Sequence, residues 1–173
     1  ARYEAAMRAV SEISRYPVSF EDVPGGAKGF FSRSEPKRIV IQKGMSQAQT
    51  LKTAIHELAH SVMHDSGSEG EGPALPGRAT REVQAESVAF IAELAWLDTG
   101  DYSFGYVAGW SEGKDLSELR ASLDEIRGAA HGIIGSMEQK MAETVNQKAE
   151  RVRALEHKPD AACRSLSERA AIA

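Results

Sequence analysis

The stretch from Ser46 to Met63, SQAQTLKTAIHELAHSVM, constrains the fold more than any other part of the chain. Ser46 stands three residues before Gln49, a capping-box pattern that opens a helix. Leu51, Ala54, Ile55, Leu58, Ala59 and Val62 follow in steps of three and four. That spacing gathers them on one face, which must be buried against something. The stretch therefore reads as a long helix lying on a core, and it carries His56, Glu57 and His60, with His64 just beyond.

His56-Glu57-Leu58-Ala59-His60 has the form H-E-x-x-H. Residues i and i+4 share a helix face, so both imidazoles can reach one ion. A bound Zn²⁺ brings the pKa of a water from about 15.7 toward about 7, and Glu57 is placed to act on that water as general base. A catalytic zinc site takes three protein ligands and keeps one position open. The next helical stretch, from about Thr80 to Leu97, begins TREVQAESVAF and offers Glu82 and Glu86, again four residues apart. By itself that pair would read as a solvated helix start favoured by the macrodipole. Beside H-E-x-x-H it supplies the expected third ligand, Glu82, with Glu86 accepting from the far nitrogen of a ligand histidine. The reverse assignment of the two glutamates stays open. His64 lies about 12 Å from His56 along the helix axis. It reads as a bystander in the last turn, favourable to the helix dipole.

Around this helix the pattern is mixed. Residues 3–15 have helical spacing, and Pro17 ends them. VSFEDV reads as a short strand, PGGA as a turn, and KGFFSR with KRIVIQ as a hairpin around Pro36. If the second hairpin strand lies at a sheet edge, Ile39, Val40 and Ile41 could bind a peptide by main-chain addition; an internal strand is the equal alternative. Residues 65–77, rich in Gly, Pro and acid, read as a loop able to gate a site. Tyr102 and Tyr106 could donate to an oxyanion, though a core role is the commoner one. From Asp115 a long helix carries Leu116, Leu119, Leu123, Ile126, Ala130, Ile133 and Met137 at alternating spacing. The division expected is a domain over 1–145 and a helical extension or loose tail over 146–173.

Composition narrows the function classes. A net charge of -4 over 173 residues gives no pull toward nucleic acid and no polybasic membrane patch. No run approaches the roughly eighteen apolar residues of a membrane span. The single cysteine, Cys163, can form neither an internal disulfide nor a thiolate cluster, so a reducing, cytoplasmic setting is expected. The chain opens on Ala1, not Met, and is expected to be part of a longer protein.

Several blocks, FEDVPGGAKGFF, RIVIQKGMSQAQTLKTAIHELAHSVMHDSG, REVQAESVAF, DYSFGYVAGW and SELRASLDEIR, resemble the zincin-like metallopeptidase domain of ArdC- and LtrC-type proteins of mobile elements. The resemblance spans about residues 3–140. It implies an α+β, gluzincin-like fold in which a small antiparallel sheet lies beside the active-site helix and a helical half follows. It places the ligand glutamate on Glu82 and its neighbour in the outer shell on Glu86. It implies a zinc-dependent peptidase with a protein or peptide substrate, in relatives that add an N-terminal single-strand-DNA-binding domain. The alternative is a non-catalytic, metal-stabilised module of an antirestriction or conjugation protein.

Overall fold

The computed structural model describes residues 2–65, 75–96 and 116–156. It is α+β and mostly helical. The elements are α1 (Arg2–Ile13), β1 (Val18–Glu21), β2 (Gly29–Ser32), β3 (Arg38–Gln42), α2 (Gln47–Met63), α3 (Arg78–Trp96) and α4 (Leu116–Glu156). By its contacts the chain forms two compact units, Ala1–Met141 and Ala142–Ala173. No helix among the described residues is long and apolar enough to cross a membrane.

The strands pair in the order β1-β3-β2. β2 and β3 form the expected antiparallel hairpin, while β1 runs parallel to β3. The sheet is thus mixed, which corrects the antiparallel expectation. The cause is the path of the chain: β1 and β2 run in opposite directions but are not neighbours, and β3 returns between them. The link from β1 to β2 turns at Gly25 and Gly26, whose φ values of 77° and 76° suit glycine. Gln42 at the end of β3 holds this turn by accepting from the Val23 amide at 2.6 Å.

Being central, β3 is paired on both sides, and Ile39, Val40 and Ile41 are each 0% exposed. The main-chain addition considered for these three residues is therefore excluded: their backbone groups are used by β1 and β2. Side chains alternate along a strand. Ile39 and Ile41 accordingly join the core cluster with α1 and α2, whereas Val40 does not. Removing such an isoleucine side chain from water contributes about 1.5–3 kcal/mol.

α2 lies against the sheet and against α3. The Ser46 hydroxyl caps it, accepting from the Gln49 amide at 3.3 Å. Only half of the capping box forms, because the Gln49 side chain instead takes a hydrogen bond from Lys28 and gives one to Thr53. Leu51, Ala54, Ile55, Leu58 and Ala59 are buried as the period demands, while Val62 is exposed. At the far end Asp65 is tied to Tyr16 and to Lys37. From Ser122 to Met137, α4 buries Ser122, Ile126, Ala130, Ile133 and Met137. Leu123, expected in this stripe, is 58% exposed, and Ser122 takes its place one turn before Ile126. The side chains of Leu116 and Leu119, and all of Tyr102, Tyr106, Cys163 and most of the loop 65–77, lie outside the described residues.

Candidate metal centre

Two helices build the site. α2 presents His56 and His60 one turn apart, and the opening turns of α3 bring Glu82 and Glu86 against them. The Nε2 atoms of His56 and His60 stand 3.1 Å apart. Glu82 Oε2 lies 3.6 Å from the first and 3.7 Å from the second. Ligands about 2.0–2.1 Å from a tetrahedral ion are separated from one another by about 3.3 Å. The triangle of two nitrogens and one oxygen thus has the size of one face of such a coordination shell. Among the described residues His56, His60 and Glu82 are the group of potential ligand side chains close enough to share an ion.

Glu86 addresses the opposite side of His56. Its Oε2 lies 3.3 Å from His56 Nδ1 and its Oε1 is 2.6 Å from Lys52 Nζ. Both oxygens are occupied away from the triangle. This is the arrangement of an orienting carboxylate, and it favours Glu82 over Glu86 as the third ligand.

The electrostatics follow from this packing. Burial alone would lower the His56 pKa, but the hydrogen bonds it donates to Glu82 and Glu86 outweigh it and raise the value to about 9. Glu82 is held down to about 2, first by its hydrogen bond to His56, and Glu86 likewise to about 2. His60 is pushed down to about 4 by burial and by the neighbouring His56 charge. Without a metal, the pocket accordingly keeps a proton on His56 between two carboxylates. That is the charge pattern a divalent cation would satisfy better.

Glu57 follows His56 on α2, feels the charges of His56 and Glu82, and is 7% exposed. Burial is the largest influence on its pKa, raised to about 7; the charge of His56 and a backbone hydrogen bond from Phe31 act in the other direction. A carboxylate titrating near neutrality can take up and release a proton at physiological pH. Gly29 of β2 makes this position possible. A Cβ there would lie 2.7 Å from Thr53 Cγ2 and 3.3 Å from Glu57 Cγ. The bare backbone lets α2 settle onto the sheet edge.

His64, expected as a bystander in the last turn favourable to the helix dipole, is buried and hydrogen-bonded. It is 2% exposed, with Nδ1 2.9 Å from His60 Nδ1 and Nε2 2.8 Å from Gln84 Oε1. Burial lowers its pKa, which works against a positive charge at the helix end. Gln84, Ser122, Lys52 and Gly29 were not singled out by the sequence reasoning. Gln84 was detectable in principle: it is a polar residue one helical turn before Val88, on the apolar stripe of α3.

Comparison with known proteins places this geometry in context. Over 113 residues the chain is 27% identical to an uncharacterized protein of Bacillus anthracis, covering 64% of this chain and 18% of that protein. The chain thus spans less than a fifth of that relative's length. No solved structure gives a significant match. Residues 15–94, which run from the end of α1 almost to the end of α3 and contain His56, Glu57, His60, His64, Glu82, Gln84 and Glu86, match the metallopeptidase family Peptidase_M78, the IrrE N-terminal-like domain.

Proposed function

We propose that this chain is a zinc-dependent peptidase acting on a protein or peptide substrate. The observation that carries the reading is the triangle of His56 Nε2, His60 Nε2 and Glu82 Oε2, 3.1 to 3.7 Å on a side, with the buried Glu57 following His56 on α2. His56, His60 and Glu82 would hold the ion, and three ligands leave a fourth position open. When bound, zinc supplies Lewis-acid polarisation of a carbonyl and makes a water more acidic. Glu57 takes the proton of the attacking water and passes it to the leaving amine. Glu86, braced by Lys52, holds the His56 ring so that Nε2 faces the triangle.

Substrate alignment falls to a different strand from the one first considered. Among the described strands β1 and β2 are each paired on one side only, and of the two it is β2 whose Gly29 packs against Glu57. An extended peptide added along β2 would lie next to the carboxyl that acts on it. The similarity to ArdC- and LtrC-type domains further suggests a narrow protein substrate in a mobile-element setting.

The test is cleavage of a proteome-derived peptide library by the zinc-loaded chain, read by mass spectrometry of new termini. Wild type should generate them. Glu57→Gln should retain zinc and lose about 10²- to 10⁴-fold in rate, the usual contribution of a general base. Equal cleavage by the two zinc-loaded proteins would refute the assignment, and zinc binding without cleavage by wild type would favour a metal-stabilised module.

A further inference from the structure

A chain of buried polar groups runs from the candidate metal centre to α4. His60 Nδ1 meets His64 Nδ1 at 2.9 Å, and His64 Nε2 meets Gln84 Oε1 at 2.8 Å. Gln84 Nε2 then donates to Glu125 Oε2 at 2.6 Å and to Ser122 Oγ at 3.4 Å. Gln84 is 1% exposed, His64 2% and Ser122 5%, whereas Glu125 reaches the surface.

Each link constrains the next. Glu125 Oε2 accepts from the NH₂ of Gln84, which fixes the orientation of that amide. The Gln84 carbonyl oxygen is thereby turned to His64 and can only accept, so His64 carries its proton on Nε2. Its Nδ1 is then a bare acceptor, and the contact with His60 requires the proton on His60 Nδ1. That leaves the lone pair of His60 Nε2 directed into the triangle with His56 and Glu82. A neutral imidazole can bind a metal only through its unprotonated nitrogen.

We propose that Glu125, Gln84 and His64 are positioning residues forming a relay that sets the tautomer of His60 and so keeps Nε2 available to the ion. The inference rests on His60 being a metal ligand. The relay explains two features that packing alone does not. One is a glutamine on the apolar stripe of α3. The other is the burial of Ser122 in place of Leu123 on α4. It also joins α4, which lies beyond residues 15–94, to the chemistry of α2.

The test reads tautomers directly. Long-range ¹H–¹⁵N correlation spectra of the metal-free chain at neutral pH should show His60 protonated on Nδ1 and His64 on Nε2. Glu125→Lys replaces an acceptor with a group that only donates, at a surface position. It should turn the Gln84 amide, reverse both histidines and move the His60 proton toward Nε2. Zinc affinity, measured by chelator competition, should fall by about 10- to 100-fold, the usual cost of losing an outer-shell partner. Glu125→Ala should leave both tautomers populated and affinity between the two. Asp124→Lys, with the same charge change on an exposed neighbour, should alter neither tautomer. His60 protonated on Nε2 in wild type would overturn the relay. So would unchanged tautomers and zinc affinity in both Glu125 variants. Absence of zinc binding by wild type would instead refute the metal reading, independently of the spectra.

Discussion

Gly29→Ala tests whether close approach of α2 to the sheet edge shapes the site. The added methyl would lie 2.7 Å from Thr53 Cγ2 and 2.8 Å from the Val40 carbonyl oxygen. Unstrained carbon contacts lie at about 3.5–4.0 Å. Val40 belongs to the central strand, whose backbone is held from both sides, and Thr53 is a short β-branched residue on α2 with little freedom of its own. The helix must therefore give, by somewhat under 1 Å. Replacing a strand glycine with alanine ordinarily stabilises by about 0.5–1 kcal/mol, whereas overpacking costs about 1–3 kcal/mol. The clash should prevail, with a net loss of about 1–2 kcal/mol. For a chain of this size Tm falls by about 2–4 °C per kcal/mol. Thermal and urea denaturation of the metal-free variant measure this directly. Cleavage by the zinc-loaded variant should fall as well, because the same methyl would press Glu57 Cγ from 3.3 Å. A variant melting at or above wild type would refute the packing argument.

The metal-free chain should show a stability plateau bounded on both sides. His56, raised to about 9, contributes fully below pH 6.5 and loses that contribution as pH rises through 9, about 3 kcal/mol for a side chain 18% exposed. Glu82 and Glu86, lowered to about 2, contribute above pH 4.5 and lose it as pH falls toward 2. Between these limits Glu57, raised to about 7, loses stability with rising pH while His60, lowered to about 4, gains it, so the two oppose each other. Urea midpoints measured from pH 3 to 10 check this, and a midpoint flat between pH 6.5 and 9 would contradict it. Gly128→Ala, in the interior of α4 where a Cβ meets nothing within 4 Å, should stabilise by about 0.5–1 kcal/mol in the same assay.

What the sequence revealed was local. The Ser46 cap and the apolar period settle α2, and four-residue spacing on two successive helices singles out His56, His60, Glu82 and Glu86. Those features depend on helix geometry alone. The strand order was hidden because β1 and β3 pair across some twenty residues, and no periodicity records which neighbour a strand chooses. For the same reason β3 could be read as an edge, although its three consecutive buried residues, Ile39 to Ile41, fit a central strand. The role of His64 was hidden because its partner Gln84 comes from another helix. Leu123 was misplaced because a stripe alternating threes and fours fits two registers, and the polar demand of Gln84 selects Ser122.

The central claim is that His56, His60 and Glu82 hold the metal while Glu57 stays free for catalysis. Chelator-competition titration of zinc on wild type, Glu57→Gln and Glu82→Gln tests it most directly. The account predicts one zinc per chain, an affinity within about tenfold of wild type for Glu57→Gln, and a loss of at least about 100-fold for Glu82→Gln, beyond that of an outer-shell change. Equal zinc affinity in Glu82→Gln and wild type would contradict it.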